Sequence, residues 1–176
     1  MARRIFVGLP VDADAAHELA AFARRQLGAL PVRAIEPAML HATLVFCGAT
    51  DEDRIAEIAG IVEEETPYDL DWELAPNGLR QLGSVVAVTY DPPPLLAAVQ
   101  RAVERRLVAE GLADDERRRW LPHVTIARGR RGARFRTPPA APPAVVLRGD
   151  AVVVYESVLR PTGATYVPLE ASPRRD

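Results

Sequence analysis

The hydrophobic pattern of the chain switches repeatedly between strand and helix periods. Residues 5–11 form a short apolar run closed by Pro10 and Asp12, which predicts a buried strand. Past Asp12, a natural N-cap, Ala16, Leu19, Ala20, Ala23 and Leu27 recur at helical spacing until Gly28 stops the pattern. A short strand is expected over 32–35, before Pro37, and another from His41 to Cys47, closed by Gly48. Thr50 then reads as the cap of a helix with acidic residues in its first turn and Ile55, Ile58, Ala59 and Val62 as its stripe. Strict polar–apolar alternation over 69–74 predicts a half-buried strand, Pro76-Asn77-Gly78 a turn, and the valine-rich residues 84–90 a further strand. Three prolines after Asp91 open a helix with Leu95, Leu96, Val99, Val103, Arg106 and Leu107 on its core side, and Gly111 ends it. A charged loop over 113–120 leads into a strand at His123–Arg128. The Gly/Arg-rich and then Pro-rich residues 129–143 read as a mobile loop. One or two strands fill 145–159 with a bend at Gly149-Asp150, Pro161-Thr162-Gly163 forms a turn, and a last strand covers 164–169.

Interleaved strands and helices with this antiparallel tendency indicate an α+β fold. A strand–helix–strand sequence occurs once in each half, which suggests a weak internal duplication. The expectation is one bilobal domain over residues 1–176, with two pseudo-symmetric lobes whose antiparallel sheets face a central cleft and whose helices lie outside.

Composition narrows the functional classes. At 176 residues and 48% hydrophobic content the chain can bury a substantial core. A net charge of −2 excludes a chain that is basic overall, although a local basic patch is compatible with it. All 22 basic residues are arginine, which fits the codon bias of a GC-rich genome and lowers the weight of any single arginine; it also excludes lysine nucleophiles and Schiff bases. The lone Cys47 cannot form an internal disulfide, and its apolar strand makes it a core residue. No zinc-like spacing, P-loop, signal peptide or transmembrane stretch is present, so a soluble, cytoplasmic, monomeric protein without metal or other cofactor is expected.

The chemistry concentrates in a tetrapeptide that occurs twice, His41-Ala42-Thr43-Leu44 and His123-Val124-Thr125-Ile126, 82 residues apart. These two copies hold two of the three histidines. On a strand, residues i and i+2 share a face, so each copy projects one imidazole and one hydroxyl together, with Ala42, Leu44 and Phe46 turned the other way. Two imidazoles that titrate near pH ~6.5 can remove a proton from water and return one to a leaving oxygen, while threonines donate to phosphoryl oxygens. Arg128 and Arg130 are candidates for charge-assisted bonds to the same group. A single His-x-Thr on a strand is ordinary; a matched pair in corresponding places is not. His17, between Asp14 and Glu18, reads as a solvated helix residue, and Trp120 as either a base platform or core. Arg117-Arg118-Arg119 and the arginines of 128–136 read first as solvated surface.

Leu40-His41-Ala42-Thr43-Leu44-Val45-Phe46-Cys47-Gly48 resembles the Leu-His-x-Thr-Leu-x-Phe-x-Gly of the 2H phosphoesterase superfamily, in its RNA 2′,3′-cyclic phosphodiesterase (2′-5′ RNA ligase-like, LigT-like) branch. Pro122-His123-Val124-Thr125-Ile126-Ala127-Arg128 is similar to the second motif, and Arg4–Leu9, Tyr155–Leu159 and Gly163–Tyr166 resemble the family's termini. The resemblance implies a bilobal fold and metal-independent hydrolysis of 2′,3′-cyclic phosphates, on RNA 3′ ends or small cyclic nucleotides, to 2′-phosphomonoesters. It implies His123 as the base, His41 as the acid, and Thr43, Thr125 and Arg128 as phosphate ligands. Arg33-Ala34-Ile35 departs from an Arg-Trp-like pair of many relatives. The alternatives carried forward are a non-catalytic RNA-end or nucleotide-binding module and reversible 2′-5′ RNA ligation.

Overall fold

A computed structural model describes residues 1–115, 119–137, 140–160 and 163–173. Nine strands pair in the path β7-β4-β5-β6-β3-β1-β8-β9, with β2 off this path beside β6. Their bounds are β1 Ala2–Pro10, β2 Val32–Ala34, β3 His41–Asp51, β4 Trp72–Leu82, β5 Val85–Asp91, β6 His123–Gly129, β7 Leu147–Gly149, β8 Val152–Arg160 and β9 Gly163–Ser172. The helices are α1 Ala13–Leu27, α2 Ile55–Glu65 and α3 Pro94–Ala109. The α+β class is as expected. The two halves, however, are joined edge to edge: β3 and β6 are neighbours, paired at Ala42↔Val124 alone, and diverge on either side of it. The cleft is therefore the splay of one curled antiparallel sheet.

Outward from the β6/β3 boundary the strand order reads the same in both directions, with β5 matching β1 and β4 matching β8. The helices obey the same exchange. α1 follows β1 yet packs on β2 and β6, while α3 follows β5 yet packs on β3. Small residues permit this close approach: Ala16, Ala20 and Ala23 of α1, Ala42 of β3 and Ala127 of β6 are all buried. The crossed helices leave one continuous core, in which Leu9, Leu19, Ile58, Leu107 and Ile126 are fully buried. Each such side chain is worth about 1.5–3 kcal/mol relative to exposure.

Several local expectations yield to tertiary pairing. Asp12 caps α1 as predicted, accepting from the Ala15 N–H at 2.9 Å. Thr50 does not cap α2: it is buried in β3 opposite Arg3, because the N-terminal end of β1 extends the ladder past Gly48 to Ala2↔Asp51. A single 3₁₀ turn at Glu52–Arg54 then leads into α2. Pro76-Asn77-Gly78 is a bulge inside β4, held by Asn77, which donates to Asp91 (2.6 Å) and accepts from Thr89 (2.6 Å). The hairpin turn falls instead at Gly83, whose φ of 61° needs glycine. On α3 two expected core residues lie outside it: Leu95, in the first turn, is exposed, and Arg106 pairs with Glu64 and Glu65 of α2, while Gln100 is buried in the stripe instead. Pro161 and Thr162 of the expected turn, Arg117 and Arg118 of the charged loop, and Pro138 and Pro139 lie outside the described residues.

Candidate active site

The pairing of Ala42 with Val124 fixes the centre of the site. Read outward from that single pair, the antiparallel direction turns His41 toward Thr125 and Thr43 toward His123 across the splay between the strands. Ala42 and Val124 are fully buried, and the four motif side chains emerge on the other face, half-buried. The expected four groups thus stand side by side on one sheet face, around one residue pair.

Each histidine is oriented in the same way. His41 Nδ1 bonds the Met39 carbonyl at 3.0 Å, and His123 Nδ1 bonds the Leu121 carbonyl at 2.8 Å. A carbonyl only accepts, so Nδ1 carries the proton in both rings and Nε2 is left as the reactive nitrogen. Among the described residues neither Nε2 has a hydrogen-bond partner, and neither do the Thr43 and Thr125 hydroxyls. Trp120, half-buried, ties the halves together by donating from Nε1 to the Thr43 carbonyl at 2.9 Å.

A shared irregularity shapes both motif strands. Gly8 pairs with Thr43 and Val7 with Val45, skipping Leu44; Ala87 pairs with Thr125 and Val86 with Ala127, skipping Ile126. Each strand therefore buries two consecutive residues, Leu44-Val45 and Ile126-Ala127, and reverses its alternation afterwards. Phe46, expected in the core, consequently emerges on the histidine face, 59% exposed. Arg128, its counterpart at the same offset from His123, is exposed on that face by the same slip. Arg130 lies one step past the strand end, exposed, with its N–H bonded to the Pro31 carbonyl at 2.9 Å.

The two halves differ in chemistry. Around His41 the wall is aromatic: Phe6 and Tyr166 have ring centroids 4.8 and 4.5 Å from the imidazole, and Tyr155 stacks on Phe6 at 5.1 Å. Gly8 makes room, since a Cβ there would sit 3.3 Å from the Phe6 ring and 2.9 Å from the Ala42 carbonyl oxygen. Burial lowers the pKa of His41, opposed by its bond to Met39 and reinforced by the nearby His123. Burial also pushes the Tyr155 phenol up to about 12, so it stays a neutral donor. Around His123 the wall is cationic. Arg80 pairs with Ala87, which pairs with Thr125, so Arg80 lies in the row of Thr125 about 10 Å away; Arg33 pairs directly with Arg128. Phe6, Tyr155, Tyr166 and Arg80 were not singled out as site residues from the sequence.

A cavity of about 380 Å³ opens on the far side of His41, lined by Pro10, Val11, His17, Met39, Tyr155 and Tyr166 among others. His17 is exposed as expected, with Nδ1 bonded to the Ala13 carbonyl at 2.6 Å, but it does share this cavity. Cys47 is partly buried against the core, its thiol pushed up to about 12 by burial. Among the described residues, no group of three or more His, Cys, Asp or Glu side chains is arranged to hold a metal, and no helix is long and apolar enough to cross a membrane.

Comparison with known proteins matches residues 10–154 to the 2′-5′ RNA ligase superfamily. An RNA 2′,3′-cyclic phosphodiesterase of Archaeoglobus fulgidus is 27% identical over 132 residues, 73% of each chain. The crystal structure of E. coli LigT with 3′-AMP superposes with a TM-score of 0.80 at 17% identity, covering 97% of both chains. A protein of Thermus thermophilus superposes with a TM-score of 0.78 at 19% identity over 96% of both.

Proposed function

The chain belongs to the 2′-5′ RNA ligase superfamily, and on that premise we propose that it hydrolyses 2′,3′-cyclic phosphates of RNA ends or nucleotides to 2′-phosphomonoesters, with two histidines in place of a metal. The observation that carries this reading is the pair of Nε2 atoms, freed by matching Nδ1–carbonyl bonds and set with two unpartnered threonine hydroxyls around the Ala42↔Val124 pair. That arrangement offers two proton-transfer atoms and two donors to one tetrahedral phosphorus. The A. fulgidus relative carries the name of this activity, and E. coli LigT has been crystallised with 3′-AMP and with phosphate.

In the proposed reaction a water attacks phosphorus and loses its proton to His123 Nε2. The bond from phosphorus to the 3′ oxygen breaks, and His41 Nε2–H gives its proton to that oxygen. The products are a 2′-phosphomonoester and a free 3′ hydroxyl, and proton exchange with water resets the pair. Thr43, Thr125, Arg128 and Arg130 donate to the non-bridging oxygens as negative charge builds there. The lowered pKa of His41 suits the acid role, because an imidazolium destabilised by burial releases its proton more readily. The anionic substrate supplies the opposite charge that loads this proton in the complex.

The test is incubation of the purified protein with 2′,3′-cyclic nucleotides in EDTA, with products followed by phosphorus NMR. The 2′-phosphate is expected. Sole formation of the 3′-phosphate overturns the regiochemistry, and absence of turnover on any cyclic phosphate overturns the reading.

A further inference from the structure

Resting on that reading, we propose that Thr89, pinned by a hydrogen bond to Asn77, is a positioning residue for His123. Thr89 pairs directly with His123 across β5 and β6, so their side chains share the histidine face, with Cβ atoms about 4.5–5.5 Å apart. It is fully buried. Up to this point the two halves of the sheet match residue for residue. Gly8 and Ala87 pair with the two motif threonines, Leu9 and Val88 with Ala42 and Val124, and Pro10 and Thr89 with the two histidines. Pro10 brings no side-chain donor, and His41 is packed instead by the rings of Phe6 and Tyr166. Among the described residues His123 has no such ring against it, and its bond to the Leu121 carbonyl fixes only its Nδ1 edge. Thr89 is the buried cross-strand neighbour that steadies the rest of the imidazole.

The bulge in β4 is built around the Thr89 hydroxyl. Asn77 Nδ2 donates to Asp91 at 2.6 Å, because a carboxylate only accepts. That contact decides which way round the amide sits. Asn77 Oδ1 therefore faces Thr89, and the hydroxyl donates to it at 2.6 Å. Gly78 leaves the hydroxyl its space, since a Cβ there would lie 2.9 Å from Oγ1. The hydroxyl is thus drawn toward β4, and β6 lies on the other side of β5. With Oγ1 held, χ1 of this β-branched side chain is fixed, and so is the surface it offers to His123. Asn77 and Asp91 are exposed, so Thr89 is the inner end of the chain and the one member in the row of a catalytic histidine.

The experiment measures kcat and KM on a 2′,3′-cyclic mononucleotide well below Tm, together with the NMR signals of the three imidazoles. The variants are Asn77→Ala, Thr89→Ala and the double variant Asn77→Ala, Thr89→Val. Thr66→Ala, which removes a buried hydroxyl bonded to the Val62 carbonyl at the end of α2, controls for lost stability. Asn77→Ala leaves the buried Thr89 hydroxyl without its acceptor, so Thr89 turns, and kcat should fall about ten-fold with KM changed by less than about two-fold. Thr89→Ala should do the same by leaving a gap beside the ring. The double variant keeps the β-branched shape with no hydroxyl to satisfy, and should restore kcat. In both single variants the His123 ring signals should shift while those of His41 and His17 stay. The control should lower Tm and change neither kcat nor His123. Native kcat with unmoved His123 signals in either single variant, a double variant as slow as the singles, or an equal loss of kcat in the control overturns the proposal. The NMR signals need no turnover. If the native protein turns over no cyclic phosphate, a shift confined to His123 and reversed in the double variant upholds the positioning role and overturns the enzymatic reading alone; an unmoved His123 overturns both.

Discussion

Gly8→Ala places one methyl group at the junction of sheet packing and catalysis. Its Cβ would lie 2.9 Å from the Ala42 carbonyl oxygen, a backbone atom held by the β3 ladder, and 3.3 Å from the Phe6 ring. The ring is the softer neighbour, but the backbone contact is too short to persist, so β1 and β3 must separate by a few tenths of an ångström at the row of Thr43. Overpacking of this kind costs about 1–3 kcal/mol, offset by about 0.4–1 kcal/mol from the reduced freedom of the unfolded chain. The net loss should lower Tm by a few degrees. The more specific effect is on His41. As Phe6 slides off the imidazole, water returns and the burial that lowers its pKa weakens, so the pKa rises toward the ordinary value. A shift of a few tenths of an ångström in His41 should lower kcat/KM about ten-fold. With three histidines in the chain, NMR titration of their ring protons resolves each midpoint. Ala87→Gly, at the matching place opposite Thr125, is the control, since among the described residues no aromatic ring packs on His123 as Phe6 does on His41, and the His41 midpoint should not move. An unchanged His41 midpoint and full activity in Gly8→Ala would refute the argument that Phe6 sets the imidazole's environment.

Other outcomes follow from the same geometry. The kcat/KM profile should be bell-shaped, and the limb that His41 governs should fall below pH 6.5 because its pKa is lowered by burial; a flat profile from pH 5 to 9 would count against the pair. The same lowered pKa has a stability consequence: below about pH 6.5 the unfolded chain takes up a proton that folded His41 resists, so stability falls with falling pH, and His41→Phe should flatten that segment of a Tm–pH curve. Trp120→Phe removes the bond to the Thr43 carbonyl and should cost about 1 kcal/mol, with a fall in kcat that a merely structural indole would not produce. A nucleotide aryl phosphodiester, whose leaving group needs no proton, should restore turnover to His41→Ala and leave His123→Ala inactive; equal rescue of both variants would contradict the assigned roles.

Periodicity and turn chemistry carried the helices, the motif strands and the facing of His41, Thr43, His123 and Thr125, because these depend on local alternation and on apolar stripes. What stayed illegible depends on pairing between distant strands. The skipped Leu44 and Ile126 reverse the alternation, and nothing in either motif announces it, so Phe46 read as core when it is exposed. Thr50 is a sound cap by local rules and loses to the ladder with Arg3. Pro76-Asn77-Gly78 is a sound turn and becomes a bulge because Asn77 finds Thr89 and Asp91 across the strand. The aromatic wall assembles Phe6, Tyr155 and Tyr166 from three strands, and Gly8 was the one available signal, a glycine inside an apolar strand run. Arg80 offered no signal, since its place is set by two successive cross-strand pairings.

The central claim is that the two motifs are halves of one active site, neither sufficient alone. The direct measurement is turnover of a 2′,3′-cyclic nucleotide in EDTA by His41→Ala, His123→Ala and the double variant, each checked for native Tm. Each single variant should lose about 10²–10⁴-fold in kcat, and the double should lose little more than either, because a proton relay broken once is broken. Losses that multiply in the double variant, or full activity in either single, would contradict the account.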